Sequence, residues 1–122
     1  MNGNYEFIEG GEIGDGFNFL TGLPTSIRYI DHADPNTATN LWGYLKGAID
    51  NNYLIGLSTC VDATYDLVPG HAYGVLGAYS VTDNNGTLHN LLRIKNPWGL
   101  DSWSGPWSDS SPLWNTVNWQ AA

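Results

Sequence analysis

The sequence predicts an α+β fold dominated by an antiparallel sheet, with one main helix. Three observations carry this expectation. Leu41, Trp42, Leu45, Ala48 and Ile49 fall on one face of a 3.6-residue period. Ala72 to Val81 and Leu88 to Lys95 are two strand-like runs, separated by Thr82-Asp83-Asn84-Asn85-Gly86-Thr87. Asn85-Gly86 is a tight-turn pair because both residue types tolerate positive φ. The 122 residues, 42% of them hydrophobic and 13% aromatic, supply one core and have no room for two.

From Asn2 to Gly22 the chain is rich in glycine and acid, with Tyr5, Phe7, Ile8, Phe17, Phe19 and Leu20 as anchors. The glycines limit regular structure there to one helical turn around Phe17 to Leu20. Ser26 to Asp31 joins β-branched and aromatic residues in a short run and predicts a first strand, stopped by Asp34-Pro35-Asn36. The helix follows over Thr39 to Asn51, with Thr39 or Asn40 as N-cap and Asn51-Asn52 supplying a left-handed residue to close it. Tyr53 to Thr59 reads as a buried strand. Beyond Asn96, the tail holds Trp98, Trp103, Trp107, Trp114 and Trp119 with neither strand nor helix period, so its order rests on indole faces and N–H donors.

Composition removes several function classes. Four basic against twelve acidic residues give a net charge of −8, which repels phosphate backbones and anionic membranes. No apolar run reaches membrane-spanning length. Cys60 is the one cysteine, so the chain holds no internal disulfide, and the residues after Met1 lack the basic flank and apolar core of a signal peptide. A cytosolic setting is expected.

Chemistry concentrates at Gly70-His71 and Asn96-Pro97-Trp98. An antiparallel hairpin brings the start of its first strand beside the end of its second, so His71 and Asn96, 25 residues apart in sequence, come within side-chain reach. Thiol chemistry on an acyl group needs a base, an acceptor that fixes the base's tautomer, and donors for an oxyanion. A histidine and an asparagine fit the first two needs. The carboxamide oxygen accepts an imidazole N–H without adding charge.

Gly70-His71-Ala72-Tyr73, Leu92-Arg93-Ile94-Lys95-Asn96-Pro97-Trp98-Gly99, Trp103-Ser104-Gly105-Pro106-Trp107-Ser108-Asp109 and Trp114-Asn115 together resemble the calpain family of papain-like cysteine proteases. Upstream, Glu9-Gly10-Gly11, Gly16-Phe17, Phe19-Leu20-Thr21-Gly22 and Tyr53-Leu54-Ile55-Gly56 are similar to the same family, so the likeness covers nearly the whole chain. The resemblance implies the barrel-like second half of a papain-type catalytic core. It makes residues 1–122 a single domain, in which 1–22 lead in from a first subdomain and 98–122 form the tryptophan-rich tail.

It also implies that His71 is the general base and Asn96 its orienter. Trp98 would shield the pair and gate the cleft in response to calcium, with Gly70 at the cleft border. Asp109 matches an acidic ligand of a calcium loop, and Asp101 stands beside Ser102, where a second acid is expected. The short Asp62 to Asp66 segment falls where the family has a loop bordering the substrate cleft. The family's nucleophile, in a Gly-Asp-Cys-Trp motif, and its oxyanion-hole glutamine belong to the preceding subdomain and do not occur here; Cys60 lacks those neighbours. The implied function is half of a calcium-dependent endopeptidase, cutting peptide or protein substrates once a Cys-bearing first subdomain is supplied in cis or in trans. The alternative is a non-catalytic module that binds peptides or glycans through its tryptophans, or that serves only for structural contacts.

Overall fold

The computed structural model describes residues 11–31, 33–99 and 103–118. The chain divides into two compact units, Met1–Asn40 and Leu41–Ala122. Tyr5, Phe7, Ile8, Glu9, Gly10, Asp101, Ser102 and Trp119, singled out in the sequence, lie outside the described residues.

In the first unit, helix α1 spans Ile13–Thr21, longer than the single turn expected. Gly14 and Gly16 are absorbed within it. Gly22 closes it in the left-handed region at φ 69°, donating its N–H to the Asn18 carbonyl at 2.8 Å. The strand expected over Ser26 to Asp31 does not form: this segment carries no regular secondary structure. The Ile27 side chain instead lies against Gly14 of α1, where a Cβ would meet it at 3.5 Å. Strand propensity without a ladder partner is a weak prior, and a bare helix surface outcompeted it.

Helix α2 covers Thr37–Asp50, starting two residues before the predicted cap. Carboxylates shape its approach, Asp31 accepting from the Ala33 N–H and Asp34 from the Asn36 N–H, each at 2.9 Å. Its end follows the sequence expectation. Asn52 sits at φ 58°, the Asn52 N–H reaches the Ile49 carbonyl and the Tyr53 N–H the Ala48 carbonyl, each at 2.9 Å. That bond pair is a Schellman closure, and Leu45 and Ala48 are buried. Among the described residues there are thus two α-helices where one main helix was expected.

The sheet belongs to the second unit. Strand β1 is Gly56–Ser58, β2 is Ala72–Thr82 and β3 is Leu88–Lys95, antiparallel throughout and ordered β1-β2-β3. Among the described residues the sheet is open and does not close into a barrel. Tyr53 and Leu54, expected in a buried strand, are exposed ahead of a three-residue β1.

The β2–β3 turn forms where predicted but by a different device. Gly86 alone has positive φ, at 83°. The Gly86 N–H donates to the Asp83 carbonyl and the Asp83 N–H to the Thr87 carbonyl, a type I turn followed by a glycine bulge. The Asp83 carboxylate holds it together, accepting the Asn85 and Thr87 N–H groups at 2.9 Å each and His89 Nε2 at 2.9 Å.

The register of β2 against β3 shifts between Val75 and Gly77, leaving Leu76 as an extra residue. Beyond the sheet, the tail is tied down by its indoles. Trp103 Nε1 donates to the Pro106 carbonyl, Trp114 Nε1 donates to the Ser108 carbonyl, and the Trp107 and Trp114 rings meet edge to face at 5.0 Å. A 3-10 helix, Pro112–Thr116, then leads to Val117, which bridges back to Asp83.

The Asp83 bonds hold its carboxyl below the ordinary value of 3.8, the His89 hydrogen bond first among the causes and the Thr87 N–H next. A depressed folded-state pKa gives stability that is present above the ordinary value and lost as pH falls through the lowered one. Urea unfolding should therefore find Asp83→Asn less stable than the parent at pH 6, with the gap closing as pH drops below about 4. A gap independent of pH would contradict this role for the carboxylate.

Candidate active site

His71 stands one residue before β2 and Asn96 one residue after β3. Cross-strand partners share a face of the sheet, and successive residues alternate between faces. On the turn side, Gly77 pairs with Arg93, and an unbroken register would bring Asn96 beside Gly74, leaving His71 on the other face. The shift at Leu76 instead pairs Gly74 with Lys95. Asn96 therefore follows beside Tyr73, on the face to which His71 also belongs.

The two side chains meet. His71 Nε2 and Asn96 Oδ1 are 2.8 Å apart. A carboxamide oxygen only accepts, so Nε2 carries the proton, and in the neutral ring the lone pair is on Nδ1. Asn96 is buried, at 8% exposure, and its Oδ1 also accepts the Trp98 N–H at 3.1 Å. Pro97 and Trp98 occupy the middle of a turn closed by the Gly99 N–H on the Asn96 carbonyl at 3.0 Å, with Gly99 at φ 77°. That turn lays the Trp98 indole over the imidazole, with ring centroids 4.2 Å apart and planes inclined by 43°. Tyr73, buried beneath, puts its ring edge to the imidazole at 5.0 Å.

His71 is also fixed through its backbone. Gly70 precedes it at φ 60°, a conformation that costs an L side chain about 1 kcal/mol or more. The His71 carbonyl accepts the Thr59 N–H at 2.9 Å, and the His71 N–H donates to Thr59 Oγ1 at 2.9 Å. Thr59 was not singled out from the sequence, and Tyr73 entered only as part of the Gly70-His71-Ala72-Tyr73 motif, with no role of its own. The one available signal is that Tyr73 lies two residues beyond His71 on the same strand face; nothing in sequence marks a threonine twelve residues upstream.

The remaining candidates do not join this cluster. Cys60 is a free, exposed thiol in the loop after β1. Asp109 is exposed and Asp101 lies outside the described residues. No group of three or more His, Cys, Asp or Glu placed to hold a metal occurs among the described residues. A hard cation takes six or more oxygens, and of the two acids named for it the described residues contain Asp109 alone. Of the tail indoles, Trp103 and Trp114 spend their N–H groups on the chain itself, and Trp98 is 61% exposed beside the imidazole. No helix among the described residues is long and apolar enough to cross a membrane.

A sequence profile of calpain family cysteine proteases matches residues 1–122. Over 126 aligned residues the chain is 36% identical to the human calpain-2 catalytic subunit and 37% identical to that of Bos taurus. It is likewise 36% identical to the calpain-1 catalytic subunit of Macaca fascicularis. Each alignment takes in 97% of this chain but 17% of the relative, so the chain spans a minor part of the length of the proteins it matches.

Removing the shared acceptor should be costly, because it orphans both the imidazole N–H and the Trp98 N–H. Asn96→Ala is expected to lower the unfolding free energy by about 1–3 kcal/mol in urea titrations. A loss below about 0.5 kcal/mol, the usual range for a surface change, would show that Asn96 is not the hub of this cluster.

Proposed function

Because this chain belongs to the calpain family of cysteine proteases, we propose that it is the His- and Asn-bearing half of an endopeptidase site, completed by a first subdomain that carries the thiol. The observation that supports the reading most is the 2.8 Å bond from His71 Nε2 to Asn96 Oδ1, which leaves Nδ1 as the basic nitrogen.

The chemistry follows from that tautomer. A cysteine placed at Nδ1 gives up its proton, and the thiolate attacks the peptide carbonyl carbon. The tetrahedral oxyanion needs donors that the partner subdomain would contribute. The His71 imidazolium then protonates the departing amine, leaving a thioester. Water, deprotonated by Nδ1, cleaves the thioester and restores the thiol. Asn96 stays neutral through the cycle. It orients the ring without contributing a negative charge, and the thiolate and imidazolium form the only ion pair. The Trp98 indole keeps water from one side of the Nε2–Oδ1 bond.

In this reading the open three-stranded sheet is part of a papain-like half, and the substrate is a peptide or protein of the cytosol. Calcium control belongs to the proposal only so far as Asp109 and Asp101 contribute to a fuller oxygen set than the described residues provide. The Trp103 and Trp114 N–H groups are already bonded to carbonyls of the chain, which does not favour the glycan- or peptide-binding alternative.

The test is complementation with a fluorogenic peptide as substrate. The chain alone should show no hydrolysis. Joined to a calpain-type segment bearing Gly-Asp-Cys-Trp, it should gain an activity that falls at least about 10³-fold in His71→Ala and is unchanged in Cys60→Ser. Hydrolysis by the chain alone that disappears in Cys60→Ser would overturn the proposal.

A further inference from the structure

Resting on the assignment of His71 as the base, we propose that Thr59 is a positioning residue for it, with the side-chain hydroxyl standing in for a missing strand bond. In an antiparallel ladder, a hydrogen-bonded pair exchanges two N–H to carbonyl bonds. The β1–β2 register runs Gly56 to Gly74, Leu57 to Tyr73 and Ser58 to Ala72, so Thr59 and His71 come next. One of their two bonds is an ordinary ladder bond, Thr59 N–H to the His71 carbonyl at 2.9 Å. The other is not. The His71 N–H goes to Thr59 Oγ1, at 2.9 Å, rather than to the Thr59 carbonyl.

The substitution has a geometric use. After Thr59 the chain leaves the sheet into the 60–70 loop, and the Cys60 carbonyl turns to accept the Gly70 N–H at 3.3 Å. A backbone that diverges cannot also keep its carbonyl on His71. The hydroxyl closes the gap, and it does so as donor and acceptor together. While accepting from His71 it donates to the Val68 carbonyl, with a second contact of 3.2 Å to the His71 carbonyl. The Val68 N–H is taken by Tyr73 Oη at 2.9 Å, and the Tyr73 ring stands against the His71 imidazole. Both polar backbone groups of Val68 are thus held by side chains that also touch His71. Thr59 ties the position of the base to that of the loop. Only a hydroxyl of this reach meets the donor and acceptor demands at once: valine keeps the shape and loses both bonds, serine keeps both.

The experiment is NMR on the whole chain, and it requires no turnover. In the parent, the His71 amide should exchange with solvent at least about tenfold more slowly than an unstructured amide, the size expected for one net hydrogen bond. Thr59→Val should abolish that protection and shift or broaden the His71 imidazole Nε2–H signal. Thr59→Ser should restore both to within about twofold of the parent. An unchanged imidazole signal in Thr59→Val overturns the proposal, as does failure of Thr59→Ser to restore it. Should Thr59→Val not fold, parent and serine variant still decide: an unprotected His71 amide in either contradicts the assignment. Failure of the protease reading would look different, as absent hydrolysis after complementation with these signals intact.

Discussion

A β-strand gives alternate residues to opposite faces of its sheet, and the meeting of His71 with Asn96 depends on one residue that interrupts the alternation. Leu76 has no partner on β3, and the ladder resumes one step out of phase. Without that step, the two side chains would lie on opposite sides of the same hairpin, however well the turn brought the strand ends together. The bulge is placed five residues after His71, so the error in phase is corrected between the turn and the site. β-bulges commonly re-aim a side chain in this way.

From that constraint the remaining parts follow with little freedom. Asn96, once on the right face, is buried and must satisfy its oxygen. It does so with the imidazole N–H and the Trp98 N–H, which fixes the tautomer of one ring and the turn that carries the other. The ring of Tyr73 supports the imidazole from the strand, and Thr59 holds the backbone of His71 where the sheet begins to split. Asn96 is uncharged, so the bond that orients the ring places no charge beside it. The single cysteine, Cys60, is exposed in the loop after β1, where its carbonyl accepts the Gly70 N–H.

Periodic and local features were legible in the sequence, and pairings that depend on partners were not. The 3.6-residue period and Asn51-Asn52 specify α2 and its closure, since both signals act within a few residues. The two long strands and the position of their turn were equally readable, and with them the approach of His71 and Asn96. The bulge was not: Leu76 looks like any apolar strand residue, and its lack of a partner is a property of the ladder. The same holds for Ser26 to Asp31, whose side chains favour a strand but whose Ile27 found the glycine of α1. Asn85-Gly86 marked a turn correctly, while the carboxylate that builds it, on Asp83, lay outside the two-residue pattern. Thr59 was invisible for a similar reason. A hydroxyl that replaces a carbonyl in a ladder can be recognised only when both strands are in place.

Asn96 presets the neutral His71 ring, with the proton on Nε2 and the lone pair on Nδ1. The most direct measurement is the nitrogen-15 spectrum of the His71 imidazole in the whole chain at a pH where the ring is neutral. A protonated Nε2 in slow exchange and an unprotonated Nδ1 are expected, with the neutral ring held in this one tautomer. A ring protonated mainly on Nδ1, or averaging freely between the two tautomers, would contradict it.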